Sequence, residues 1–117
     1  MSITLNDCSL YRMAEEACLL SEVKQKMSAV IYYGNSVMAI GINRHYTLSD
    51  THRAIFGLPY CSIHAEVDAI FKAHRHMADL HKMSIYVHRV GGKFAKPCNH
   101  CMSLLYHFGI HDIKWSG

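Results

Sequence analysis

Proline is scarce, at 2 of 117 residues, and no apolar run reaches the roughly 20 residues that a membrane-spanning helix needs. The opening stretch MSITLNDCS lacks the basic start and apolar middle of a signal peptide, so a cytosolic setting is expected. Charged side chains are few, at 18%, against 50% hydrophobic residues, and no internal repeat or low-complexity stretch appears. That balance excludes disordered and collagenous classes. A chain of this length has room for one hydrophobic core and not for two, so residues 1–117 are expected to form a single domain.

A basic track is missing as well. Lys and Arg exceed Asp and Glu by only 3. Residues 1–68 hold five basic and seven acidic groups, and residues 69–117 hold seven and two. This polarity suits an anionic ligand and falls short of a surface that coats nucleic acid. Five cysteines, an odd number, argue against a disulfide framework. In a reducing compartment thiols serve as metal ligands or as small buried hydrophobes. The 10 histidines are spread along the chain, and only those spaced to meet a cysteine pair carry a metal reading.

What is present is an alternation of two periodicities. Leu10, Met13, Ala14, Ala17 and Cys18 recur near a 3.6-residue period, which predicts a helix from Asp7 to about Val23 with Asp7 or Ser9 as N-cap and with Cys8 and Cys18 packed inside. Met27–Tyr33 and Val37–Ile42 flank Gly34-Asn35-Ser36 as a β-hairpin. Residues 43–62 read as a long loop, the next helix as Ile63 to about Leu80, and Ser84–Val90 as a strand. A third helix, Cys98–Phe108, and a strand, Ile110–Trp115, complete the order. The two crossovers imply parallel connections and an α/β fold with helices covering the sheet.

Two short motifs open the second and third helices: His64-Ala65-Glu66 and Pro97-Cys98-Asn99-His100-Cys101. Helix N-termini of this kind gather at the carboxyl edge of an α/β sheet, where sites form. Cys98 and Cys101, three apart, share one face of a first turn whose positive end favours thiolate. With neutral His64 they supply three zinc ligands and leave a fourth position for water, as a catalytic zinc requires. Glu66 diverges from His64 by roughly 200° on an ideal helix, so both reach one site only at the helix tip. There Glu66 would move protons without touching the metal. Taken singly, a Cys-x-x-Cys pair also fits a structural zinc knuckle, and a noncatalytic zinc-stabilised binding module stays open. Cys61 reads as a pocket-wall thiol, Asp68 as a helix carboxylate, and His74, His76 and His81 as a histidine-rich helix face.

His-x-Glu followed by Pro-Cys-x-x-Cys is the pattern of zinc deaminases. Together with Gly41-Ile42-Asn43 and the strand and helix order, it resembles the cytidine and deoxycytidylate deaminase superfamily over most of the chain. The resemblance implies a three-layer αβα fold with a mixed sheet, Zn2+ as cofactor, and hydrolytic loss of ammonia from a cytosine nucleoside or nucleotide. By the same resemblance Asn43 would hydrogen-bond the nucleoside, and the backbones of Ala65 and Cys98 would meet the base. His in place of Cys at position 64 resembles the deoxycytidylate, RNA-editing and tRNA branches. The eight residues 89–96 (RVGGKFAK) exceed the tight connection typical of deoxycytidylate deaminases. Arg44, Arg53, Lys93 and Lys96, in loops flanking the motif helices, are candidate contacts for one phosphate. His45, Tyr46, Tyr60 and Phe94 in the same loops are candidates to wall a base-sized pocket, and of all these Arg44 and Tyr60 are the expected substrate contacts. A polynucleotide or purine substrate is the less favoured alternative. The family pattern continues past Trp115 with a further strand and helix, so the last strand is expected to be covered by self-association into a homo-oligomer.

Overall fold

The computed structural model describes residues 6–45, 62–76 and 80–117. Helix α1 spans Asp7–Cys18, and its N-cap is Asn6, whose side-chain oxygen accepts from the Ser9 amide at 2.8 Å. The expected caps, Asp7 and Ser9, lie inside the helix. It also stops five residues early. Ser21 is drawn off the helical path because its Oγ sits 2.7 Å from the Asn43 carbonyl and 2.6 Å from Asn43 Oδ1, a contact across 22 residues that local periodicity cannot register.

Strands β1 (Met27–Tyr33) and β2 (Ser36–Ile42) form the expected hairpin, with a register shift between Ile31 and Tyr32. Two short strands, β3 (Arg44–His45) and β4 (Ser62–Ile63), pair across the stretch expected to be loop. Because Ile63 is used in that pairing, helix α2 begins at Ala65, and it runs to His76. Strand β5 (Ser84–Arg89), a 3-10 turn at Val90–Gly92, helix α3 (Asn99–His107) and strand β6 (Asp112–Trp115) follow. The main sheet runs β2-β1-β5-β6, antiparallel except for the β5–β6 pair. Since β2 and β5 both run against β1, the connections through α2 and α3 each join strands of one direction, as expected of two crossovers.

Strand alternation divides the core into two. Ala29, Ile31, Ile85 and Val87 point to one face, where Ala65, Ala69 and Ile70 of α2 and Leu105 of α3 close over them. Val30, Tyr32 and Tyr86 point to the other face and meet Leu10 and Ala14 of α1. The layers are therefore α1, sheet, then α2 with α3. Each fully buried Ile or Leu contributes roughly 1.5–3 kcal/mol. Cys18 is buried as expected, whereas Cys8 is exposed. No helix among the described residues is long and apolar enough to cross a membrane.

On the α1 face, His88 is fully buried between Tyr86 Oη, 2.9 Å from Nδ1, and Glu15 Oε1, 3.2 Å from Nε2. The Gly91 amide donates to the same Glu15 oxygen at 2.6 Å, from a residue whose φ of 75° glycine adopts without strain. That backbone hydrogen bond, and after it His88, hold the Glu15 carboxyl below its ordinary 4.5. The unfolded chain therefore binds the proton more readily, and the stability this carboxylate contributes is present above about pH 4.5 and lost as pH falls through the lower folded value. Urea melts of wild type and Glu15→Gln should show a stability gap at pH 6 that narrows toward pH 3. A gap independent of pH would remove the carboxylate's charge from the explanation.

Candidate active site

His64 sits immediately before α2 and caps it, its carbonyl accepting the Asp68 amide at 3.1 Å. The imidazole thus projects beyond the helix tip while Glu66 stands in the first turn, the arrangement that lets residues two apart serve one place. Cys98 caps α3 with extended backbone, and Cys101 lies in that helix's first turn. His64 Nδ1 is 3.4 Å from Cys101 Sγ and 3.8 Å from Cys98 Sγ, and all three ligand atoms lie within 4.8 Å of one another. Tetrahedral zinc with these ligands sets its donor atoms roughly 3.5–3.8 Å apart, so the spacing matches. Ile63, Val67 and Cys101 form a small apolar cluster beneath, with Leu104 against it, and this fixes the two helix ends relative to each other.

The donor chemistry fits a cation as well. Burial, then the nearby His100, hold the His64 imidazole below its ordinary value, so it is neutral and able to ligate. Burial pushes the Cys101 thiol up strongly, with Glu66 and Cys98 adding to the effect. Glu66 is 3% exposed, and burial raises its carboxyl. A thiol and a carboxyl whose ionised forms burial penalises are groups whose balance a divalent cation reverses.

His64, Cys98 and Glu66 lie on the wall of one cavity of about 470 Å³, within the range of small-molecule sites. His64, Ala65, Glu66 and Cys98 line its floor side. Val23, Lys24 and Gln25 of the α1–β1 connection, Met27 at the start of β1, Asn43 and Lys96 also line it. Sequence reasoning missed Val23 to Met27. Their only signal, a break in periodicity after Cys18, says that a loop exists and not where it goes.

Asn43, expected to hydrogen-bond a nucleoside, lines the cavity, and its side-chain amide bonds to the backbone around it. Oδ1 accepts from the Met27 amide at 2.9 Å and Nδ2 donates to the Gln25 carbonyl at 2.6 Å. It therefore shapes the cavity lining. Arg44 is not among the lining residues; its Nε pairs with Asp68 Oδ1 at 3.2 Å. Asp68 is 1% exposed, also accepts the Ile42 amide at 3.1 Å and pairs with Lys72 at 2.9 Å, so it ties the end of β2 to α2. His74 packs edge-on to Phe108 at 5.4 Å between ring centres, away from the triad. Tyr46, Arg53, Tyr60 and Cys61 lie outside the described residues.

The model of the cytidine and deoxycytidylate deaminase zinc-binding region matches residues 5–116. The chain belongs to this family. Among solved structures, the dCMP deaminase of cyanophage S-TIM5, in complex with dCMP and dUMP, superposes with a TM-score of 0.69 at 16% identity over 92% of this chain and 77% of its own. A cytidine deaminase from Burkholderia pseudomallei gives 0.68 at 20% identity, over 90% and 78%. A guanine deaminase from Bacillus subtilis gives 0.65 at 18%, over 97% and 65%. At these identities the structures share the fold with this chain. No curated protein sequence matches it. Zinc is the family's metal, and His64, Cys98 and Cys101, the cluster formed by the two motifs, could hold it.

Proposed function

We propose that this deaminase-family protein is a zinc-dependent hydrolase that converts a cytosine nucleotide or nucleoside, deoxycytidylate-type by preference, to the uracil form. The observation that carries the reading is the cluster of His64, Cys98 and Cys101 donors, of which His64 and Cys98 line one cavity together with the buried acid Glu66. Zinc held there supplies a Lewis acid that makes water nucleophilic near neutral pH. Glu66, with its carboxyl raised by burial, would take a proton from the attacking water and give it to the ring nitrogen, and would then pass the proton of the added hydroxyl to the departing amine. Water adds at the ring carbon bearing the amine, the exocyclic C–N bond breaks, and ammonia leaves. Ala65 and Cys98 line the same cavity and present their backbone to the base. Val23 and Met27 give the ring an apolar surface.

The test combines elemental analysis with ammonia release and absorbance on cytosine, adenine and guanine compounds. The expected result is one zinc per chain and fastest turnover on a cytosine nucleotide. Turnover confined to a purine would transfer the site to the alternative base class. Zinc without turnover of any compound would make the chain a zinc-stabilised binding module.

A further inference from the structure

A second group of metal-binding side chains lies across the sheet from the motif cluster. Tyr86 and His88 of β5 point to the face that α1 covers, whereas α2 and α3 pack on the other. On the α1 face the Glu15 carboxylate, the Cys18 thiol and the His88 imidazole each bring a donor atom to within 4.8 Å of the other two. Glu15 and Cys18 are three apart in α1, so one face of the helix presents both to β5. The deamination chemistry uses none of the three.

Their surroundings hold these donors in place. His88 is fully buried, with Nδ1 2.9 Å from Tyr86 Oη and the Tyr11 ring edge-on at 4.6 Å between centres. With the hydrogen on Nδ1 donated to Tyr86, the Nε2 lone pair faces Glu15 Oε1 at 3.2 Å, and two such acceptors facing each other make a place for a cation. A ligating histidine characteristically gives its other ring nitrogen a partner of this kind. The Gly91 amide, donating to Glu15 Oε1 at 2.6 Å, orients the carboxylate in turn. Tetrahedral zinc spaces nitrogen and oxygen donors roughly 3.3 Å apart, which the Nε2 and Oε1 pair matches. The Cys18 thiol donates to the Glu15 carbonyl at 3.1 Å, and burial, then the Glu15 carboxylate, push it up. A bound divalent cation reverses that balance and releases the thiol proton.

An ion also has a way in. Glu15 lines an outer cavity of about 650 Å³ whose charged lining residues are Asp7, Glu15 and Glu16 against Arg12, a negative balance that draws cations. We propose that Glu15, Cys18 and His88 form a second metal site, for zinc or a divalent cation of like ligand preference, which fastens the C-terminal end of α1 to β5. Oxygen, sulfur and nitrogen in one set suit zinc, whereas calcium and magnesium take oxygen donors. With one thiol where the motif cluster has two, this is the weaker site, and it fills from solution after the other. The proposal does not rest on the deaminase reading.

Cobalt(II) added to protein carrying one zinc per chain tests it, with bound metal counted after dialysis and the thiolate-to-cobalt absorbance recorded. The chain should take up one cobalt and show that absorbance. Cys18→Ala should abolish the band. Tyr86→Phe, which removes only the partner of the imidazole, should weaken cobalt uptake roughly 10- to 100-fold, and Glu15→Gln at least as much. All three variants should keep the zinc already bound. In Cys98→Ser/Cys101→Ser, which lacks the motif thiols, the band should persist. A band that vanishes there and survives in Cys18→Ala would overturn the proposal, because cobalt would then have entered the motif cluster. So would no uptake by wild type, or uptake that the Cys18, Tyr86 and Glu15 variants leave unchanged. Should Cys18→Ala fail to fold by circular dichroism, Tyr86→Phe and Glu15→Gln decide by the same uptake. If the purified protein holds no zinc, the metal of the deaminase reading has failed separately, and cobalt titration of Cys98→Ser/Cys101→Ser still decides this site.

Discussion

Glu66→Ala should abolish deamination, by a factor of roughly 10² to 10⁴ or more, while leaving zinc content and fold intact. Glu66 stands in the first turn of α2, behind the His64 cap, and it lines the cavity together with His64 and Cys98. Its carboxyl is buried and raised, which suits a group that must hold a proton in one step and release it in the next. Removing it takes away that relay and leaves His64, Cys98 and Cys101 in place. Cys101→Ser is the contrasting variant: it removes a donor 3.4 Å from His64 Nδ1 and should lower zinc content together with activity. Elemental analysis and ammonia release on the same preparations separate the two. Loss of zinc from Glu66→Ala would make Glu66 a ligand, and retained turnover would place the proton relay elsewhere.

The site chemistry was legible because its residues are close in sequence within two motifs and each motif opens a helix. A two-residue spacing around a helix cap and a three-residue spacing on a first turn are local geometry, and local geometry survives folding. The layers were legible for a similar reason, since β1 and β5 alternate between Ala29, Ile31, Ile85 and Val87 on one face and Val30, Tyr32 and Tyr86 on the other. What escaped the sequence depends on contacts between distant residues. Ser21 leaves the helical path to reach Asn43, and that contact both ends α1 and shapes the cavity's lining. Arg44 is drawn to Asp68, 24 residues on, and so is turned to joining β3 with α2. Lys24 carries no periodic or motif signal, and its place in the cavity lining depends on the folded chain.

Gly41→Val should destabilise the protein by several kcal/mol and disturb the metal site from a distance. Gly41 lies on β2 where α2 crosses, and a Cβ there would fall 2.3 Å from the Ala69 amide nitrogen and 2.4 Å from the Ala65 carbonyl oxygen. Both obstacles are backbone, so no side-chain rotation relieves the clash. The facing residues of α2 are already small: Ala65, Ala69 and Ala73 are all buried at a four-residue spacing. Helix and strand thus approach as closely as their backbones allow, which is the use that a glycine inside a strand often marks. Overpacking of a closed core usually costs about 1–3 kcal/mol, and a backbone clash on this scale should exceed that range. If α2 yields, its N-terminal end lifts from β2 and carries His64 and Glu66 away from the cysteines of α3. Gly41→Ala should show the same two effects in smaller measure, a lower melting temperature and weaker zinc retention against a chelator. A Gly41→Val protein that melts like wild type and keeps its zinc would show that α2 is not held to the sheet by this contact.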